Sequence, residues 1–540
     1  MPSPPTPGSE MSMQPLLLAG RWQPSLEARG SFRAEDPRDG NAFGPEFPVS
    51  GAADLEAALS AAVLVADALA AAPPERIAGF LDAYAAAIDA DVEQLVALAH
   101  AETGLPVEPR LAKVELPRAS GQLRQAAQAV RSHSWTQPVI DTAAGLRAQL
   151  GPLHKPVLVF GPNNFPFAFN AVAGSDFASA IAARNPVIAK AHPSHPATSQ
   201  RLAQLAHQAL LDNGLPAAAV QLLYHFDNTL GLELAGDPRL GAIGFTGSRA
   251  GGLALKAAAD RAGVPAYVEL SSVNPVFLLP GALAERGAAL AQEFFASCTM
   301  GSGQFCTNPG IVVVPEGEAG DAFVAAASAH FTAAAPSLLF SRGVLEHLQR
   351  GVLTLRNAGA SVLAGGEAAP APGYRHAPTL LAVSAQAFLQ QPEALQTEVF
   401  GPVSLVVRVA GLAQMTALAH SLEGNLTGTV YRAADGSDDV LFAALAAALR
   451  PRVGRLICNK MPTGVAVSAA MNHGGPYPST GHPGFTAVGM PAAIRRFAAL
   501  HSYDGLPDAL LPELLRDRNP GGVQRLIDGQ WSSADVERTA

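Results

Sequence analysis

The chain alternates short apolar runs with longer stretches in which apolar residues recur at helical spacing. Residues 157–160 (Val-Leu-Val-Phe) are a continuous apolar run closed by Gly161-Pro162, which predicts a buried strand. Helical text follows over residues 177–183, a second strand over 186–190, and a helix over 198–212 ended by Asn213-Gly214. A third strand over 220–224 and a fourth over 243–245 lead into a Gly-rich turn, a helix over 253–261 and a fifth strand over 267–270. Strands alternating with helices predict a parallel sheet covered on both faces, with ligands taken at the carboxyl ends of its strands.

Flanking text extends the pattern. Residues 54–103, rich in Ala and Leu, predict two helices joined near Pro73-Pro74, and residues 119–132 predict another. Apolar and polar residues alternate over 135–150, as in strands. A second alternating region over 276–455 contains strands at 311–314 and 404–409 and helices at 321–335 and 344–358. After Pro462 the text turns to Gly, Pro and aromatics, as in loops draped over a surface. Residues 1–14 read as a disordered tail, with Met11 or Met13 as alternative starts.

Composition narrows the function classes. The chain has 540 residues, 49% hydrophobic and 15% charged, too apolar for a disordered chain. A net charge of −9 gives no general attraction to nucleic acid or anionic lipid. The longest apolar stretch, residues 57–72, is mostly alanine and is broken by Asp67, so it suits a helix of a folded core better than a membrane span. No signal peptide is evident at the start. Three cysteines (Cys298, Cys306 and Cys458) read as free thiols, and the expected location is the cytoplasm. With no C-x-x-C pair, and with Pro193 and Pro196 interrupting His192-x-x-His195, no metal site is expected.

Six segments could carry chemistry, each with an ordinary structural alternative. Cys306 follows Gly301-Ser-Gly303, a tight loop that could present a reactive thiolate or simply bury a small hydrophobe. Glu269 is an acid inside an apolar strand, either a general base of raised pKa or a member of an ion pair. Asn164, in Gly161-Pro-Asn-Asn-Phe-Pro166, could donate its amide to an oxyanion or mark a turn. Gly244, Thr246, Gly247 and Ser248 lie between a strand and a helix, where backbone amides can hold a phosphate, although the string is not G-x-G-x-x-G. Lys190, at a strand end, could bind ribose or phosphate or be a solvated lysine. Glu398 and Phe400 are spaced to grip a ribose and pack a flat ring, or to form a strand-edge turn.

In this order, Asn164-Phe-Pro, Lys190, Phe245-Thr-Gly-Ser248, Glu269-Leu, Gly303-Gln-x-Cys306 and Glu398-x-Phe-Gly-Pro402 resemble the NAD(P)-dependent aldehyde dehydrogenase superfamily. Longer strings resemble its 2,5-dioxovalerate (α-ketoglutarate semialdehyde) dehydrogenase branch, whose relatives include NADP-dependent fatty aldehyde dehydrogenases. They are Glu269-Leu-Ser-Ser-Val-Asn-Pro-Val-Phe, Gly303-Gln-Phe-Cys-Thr-Asn-Pro-Gly310, Lys190-Ala-His-Pro, His473-Gly-Gly-Pro-Tyr-Pro and the late Asn519-Pro-Gly-Gly-Val-Gln-Arg-Leu-Ile-Asp-Gly.

The resemblance implies an α/β fold: a Rossmann-type cofactor domain (15–135 and 152–269), an α/β catalytic domain (270–460) and a small β oligomerisation element with a C-terminal extension (136–151 and 461–540). It implies attack of Cys306 on an aldehyde, an oxyanion held by Asn164 and the Cys306 amide, and hydride transfer to nicotinamide. Glu269 would then activate water to release a carboxylate. A homodimer or homotetramer is implied, with a small aldehyde as partner. Where many NAD-preferring members place a Glu three residues after the lysine, this chain has Pro193, so NADP is expected over NAD, with Arg249 as a further helper.

Departures from the branch pattern at Pro162-Asn163, Lys155, Asn472 and Ala466 leave the aldehyde open. A medium- or long-chain or aromatic aldehyde is the alternative substrate. A cofactor-independent cysteine hydrolase and a non-catalytic protein on the same fold are the readings from other classes.

Overall fold

The computed structural model describes residues 13–367 and 369–537. The tail expected over 1–14 lies, apart from its last two positions, outside the described residues. A first sheet has the strand order Ala266–Glu269, Ala242–Thr246, Val157–Phe160, Val187–Lys190 and Val220–Leu223, all parallel. An antiparallel hairpin, Leu16–Leu18 with Arg21–Gln23, extends its far edge. Successive residues Leu158, Val159, Ile188 and Ala189 are at most 1% exposed, as a sheet covered on both faces requires. The strand order reverses between Val157–Phe160 and Ala242–Thr246, and such reversals open a crevice at the carboxyl edge.

The helices match the expected stretches with one correction. Residues 54–103 form three helices, Ala52–Ala70, Pro74–Ala90 and Val92–Thr103, rather than two. The second break, at Asp91, has neither Gly nor Pro to mark it. The Asp91 carboxylate is taken at 2.7 Å by both Nε and Nη2 of Arg201 on helix Pro196–Asp212. A contact this distant in sequence leaves no local signal.

Residues 270–275 carry the chain from the carboxyl end of the first sheet to a second. Its order is Ser361–Ala364, Thr379–Ser384, Val403–Val409, Ile311–Pro315, Val276–Leu278, Asn425–Tyr431 and Val453–Cys458, parallel except for the first strand. Asn425 ties the crossing segment to this sheet, its Oδ1 accepting from the Val273 and Asn274 amides at 2.8 and 3.1 Å.

A third, five-stranded sheet pairs Leu146–Pro152 with Val139–Asp141 and Ala498–Asp504, and is completed by Arg525–Ile527 and Gln530–Ser532. The region after Pro462 is thus looped at first but ends in strands, which its Gly-, Pro- and aromatic-rich text did not mark, although the resemblance implied a small β element there. Among the described residues, no single helix is long and apolar enough to cross a membrane. Ala52–Ala70 and Pro74–Ala90 reach that length only together, across a 119° bend, and each buries a face in the core.

Candidate active site

Helix Pro280–Thr299 ends in a turn in which Gly301, Ser302 and Gly303 all adopt left-handed backbone, at φ 56°, 60° and 68°. A Cβ on Gly303 would lie 2.2 Å from the backbone of Gly401, so only glycine lets the segment containing Glu398 and Phe400 pack here. Three residues on, Cys306 is half-buried. Asn274 Nδ2 donates to the Cys306 carbonyl at 2.8 Å and to the Asn308 carbonyl at 2.9 Å, pinning the loop to the chain that follows Glu269.

The Cys306 sulfur lies 3.4 Å from His473 Nε2, and the same nitrogen lies 3.0 Å from Glu269 Oε1. Glu269, at the end of strand Ala266–Glu269, is 1% exposed, and His473 is 2% exposed. Among the described residues neither Glu269 oxygen is in a directed hydrogen bond, so this close approach is an electrostatic contact with spare acceptor capacity. Burial, then the Glu269 carboxylate, push the Cys306 thiol well above its usual pKa, while Arg118 pulls it down. The resting sulfur therefore carries its proton, and His473 is a base within reach of it.

Asn164 is 5% exposed, four residues beyond strand Val157–Phe160. Its Nδ2 donates to the Gln304 carbonyl at 3.0 Å, which sets the amide against the Cys306 loop. An amide nitrogen has two hydrogens, so one remains for a second acceptor.

The other expected residues line the carboxyl edge of the first sheet. Phe160, Lys190 and Phe245 are in register there, and Thr246 pairs with Glu269. Ser248 caps helix Arg249–Arg261, its Oγ accepting from the Gly251 amide at 3.3 Å. The Gly247 amide donates to the Glu269 carbonyl at 3.1 Å. At Gly244 a Cβ would lie 2.7 Å from Asp176, whose carboxylate pairs with Arg496 at 2.7 Å.

Burial brings Lys190 down to about 8, and its ammonium stands 5.9 Å from the Phe226 ring. Burial pushes Glu398 up to about 7. A cleft of about 240 Å³ beside Glu398 is lined by Ser271, Ser272, Arg249 and Glu423. A desolvated amine at the carboxyl edge of the first sheet and a desolvated carboxyl in the cleft suit the phosphates and ribose hydroxyls of a dinucleotide. Arg249, expected to help, donates to Glu423 at 2.8 and 3.2 Å and is already paired.

Several contributors were missed as site residues. His473 and Asn274 appear in the sequence only inside longer strings; a histidine followed by two glycines was the one available signal. Three arginines act electrostatically on this region or bond directly to it. Arg110 is paired with Glu115 and donates to the Asn164 carbonyl at 3.0 Å. Arg455 donates to the carbonyls of Pro462 and Gly464. Arg118 donates to Gln122 at 3.1 Å. Burial pushes the Cys298 thiol up to about 12, as in a core residue, and Cys458 is exposed.

A cysteine, a carboxylate and an amide thus converge beside a dinucleotide-type crevice, the arrangement of a thiol-dependent oxidoreductase. The profile described as "Aldehyde dehydrogenase family" matches residues 22–497, and the chain belongs to that family, whose cofactor is NAD(P). It is 42% identical over 513 residues to alpha-ketoglutaric semialdehyde dehydrogenase 2 of Azospirillum brasilense, covering 93% of this chain and 96% of the relative. It is 38% identical over 463 residues to alpha-ketoglutaric semialdehyde dehydrogenase of Acinetobacter baylyi, covering 84% and 86%. Among solved structures, PnpE in complex with nicotinamide adenine dinucleotide superposes with a TM-score of 0.78 at 23% identity, over 91% of this chain and 97% of that one. The protein is an aldehyde dehydrogenase of α/β fold and an oxidoreductase acting on aldehydes.

Proposed function

We propose that this enzyme oxidises 2,5-dioxovalerate to 2-oxoglutarate, with NADP as its preferred cofactor. The observation that carries the chemistry is the placement of Cys306 and Glu269 on one imidazole nitrogen, that of His473. The two semialdehyde dehydrogenases above support the substrate.

In this reading the Cys306 proton moves to His473 Nε2 as the sulfur bonds to the aldehyde carbon. The free N–H of Asn164, together with the Cys306 amide, holds the resulting oxyanion. NAD(P), when bound, supplies the hydride acceptor for the oxidation. Lys190, Gly244, Thr246, Gly247 and Ser248 hold its adenosine and phosphates, and Glu398 and Phe400 its nicotinamide ribose and ring. Glu269, with acceptor capacity to spare, then takes a proton from water. The oxygen attacks the thioester carbon, the C–S bond breaks, and the leaving sulfur recovers its proton from His473.

The preference for NADP is supported around Lys190. Position 193 is proline rather than a carboxylate, and Lys190 makes no ion pair among the described residues. His192, His195 and His225 surround it, each pulled below its usual pKa chiefly by burial. These rings are thus held neutral, and Lys190 is the cation there that would meet a 2′-phosphate.

We also propose the three-part division into 15–135 with 152–269, 270–460, and 136–151 with 461–540. A cytoplasmic location and a homodimer or homotetramer complete the reading. Leu500 and Trp531, 68% and 65% exposed on the two edge strands of the third sheet, support association there.

The test is reduced-nicotinamide formation with 2,5-dioxovalerate, succinic semialdehyde, benzaldehyde and hexanal, each with NADP and with NAD. The reading requires 2,5-dioxovalerate with NADP to give the highest kcat/KM. Good turnover of hexanal with none of 2,5-dioxovalerate would remove the substrate and leave the family.

A further inference from the structure

A substrate with a carboxylate at the end away from its aldehyde needs a cation inside the pocket, because a buried carboxylate is costly unless paired. Three guanidinium groups act on the region of Cys306, and their partners separate them. Arg110 is neutralised by Glu115, which also accepts from the Phe167 amide at 2.8 Å and the Ala168 amide at 3.2 Å, so this pair braces the loop after Asn164. Arg455 donates both terminal nitrogens to loop carbonyls, which leaves only its Nε idle. Arg118, on helix Leu116–Arg131, has a single directed partner among the described residues, the neutral amide of Gln122. Its Nη2 is buried with no hydrogen-bond partner among the described residues.

The surroundings of Arg118 place it beside the Cys306 loop and His473. Its guanidinium carbon lies 5.0 Å from the Phe169 ring and 5.7 Å from the Phe165 ring. Phe169 in turn lies 5.9 Å from the His473 imidazole, and Phe165 lies 5.4 Å from Phe305, the neighbour of Cys306. Phenylalanine rings next to the Cys306 loop thus flank a guanidinium that makes no ion pair within 4 Å among the described residues and keeps a terminal N–H idle. Aromatic faces keep such a planar cation in place without consuming its donors.

We propose that Arg118 is the specificity-determining residue that binds the distal carboxylate of the aldehyde substrate, through Nη2 and the planar edge it shares. This rests on the substrate reading above. It accounts for a buried polar atom with no other use, and it predicts a preference for short ω-carboxylated aldehydes over uncharged ones of equal length.

The experiment compares wild type, Arg118→Met and Arg118→Lys on 2,5-dioxovalerate, succinic semialdehyde and uncharged pentanal, and measures competitive inhibition by glutarate. Because Arg118 also favours the Cys306 thiolate, both substrate types will lose some kcat, and the informative quantity is the ratio between them. In Arg118→Met the kcat/KM ratio of carboxylated to uncharged aldehyde should fall about 30- to 100-fold, mostly through KM. The glutarate Ki should rise by a similar factor, and Arg118→Lys should recover part of both. A wild-type enzyme with no preference for carboxylated aldehydes would overturn the substrate reading and this assignment together. A wild-type preference that survives intact in Arg118→Met would overturn the assignment of Arg118 alone. Equal losses on all substrates with an unchanged glutarate Ki would reduce Arg118 to a structural role.

Discussion

His473 Nε2 stands 3.4 Å from the Cys306 sulfur and 3.0 Å from Glu269 Oε1, so one nitrogen faces both the thiol and the carboxyl group. The three residues come from separate parts of the chain: a loop after helix Pro280–Thr299, the end of strand Ala266–Glu269, and the irregular segment after strand Val453–Cys458. With the thiol raised by burial and by Glu269, His473→Asn should lower kcat about 100-fold by removing the proton acceptor. Alkylation of Cys306 by iodoacetamide, followed against pH, should shift to higher pH in the variant. Superimposable wild-type and variant alkylation profiles would exclude this role.

Asn164→Ala removes the side-chain donor to the oxyanion and the bond to the Gln304 carbonyl. Its kcat should fall about 100- to 1,000-fold, the usual cost of one oxyanion donor. Iodoacetamide should still modify Cys306 at close to the wild-type rate, because the amide acts after the sulfur has bonded. A parallel collapse of alkylation and turnover would instead point to loss of the loop's position.

Cofactor affinity should depend on pH through Lys190, whose value near 8 reflects desolvation. A 2′-phosphate favours the charged amine, so binding takes up a proton once the free enzyme is above that value. The KM for NADP should therefore be flat below pH 8 and rise by up to about tenfold per pH unit above it, while the KM for NAD changes less. Lys190→Met should flatten the NADP curve. A steep rise shared equally by both cofactors would assign the effect elsewhere.

The Asp176–Arg496 pair holds the C-terminal segment against helix Ser175–Ala182, with Arg496 also placed 5.0 Å from the Phe485 ring and 4.8 Å from the Phe497 ring. Arg496→Leu leaves a buried Asp176 without its cation and should cost about 3–5 kcal/mol. The urea midpoint is the measurement, and an unchanged midpoint would show the pair to be dispensable.

Much of the first sheet was legible because its strands are short apolar runs ended by Gly-Pro or Lys, and its helix 198–212 stops at Asn-Gly. Cys306 and Glu269 stood out as reactive groups in a glycine loop and an apolar strand. Two features left no such marks. The break at Asp91 depends on Arg201, and the late strand Ala498–Asp504 exists through its pairing with Leu146–Pro152. The role of His473 was hidden for a related reason. It sits in a loop with no period to read, and only folding brings it to residues about 170 and 200 positions earlier in the chain.

The most direct test of covalent catalysis at Cys306 uses Glu269→Gln, mixed with 2,5-dioxovalerate and NADP and followed by rapid quench and peptide mass spectrometry. A burst of no more than one reduced cofactor per chain, with the acyl group on the Cys306 peptide, is the predicted result. Sustained turnover without any adduct on that peptide, or full activity in Cys306→Ser, would contradict it.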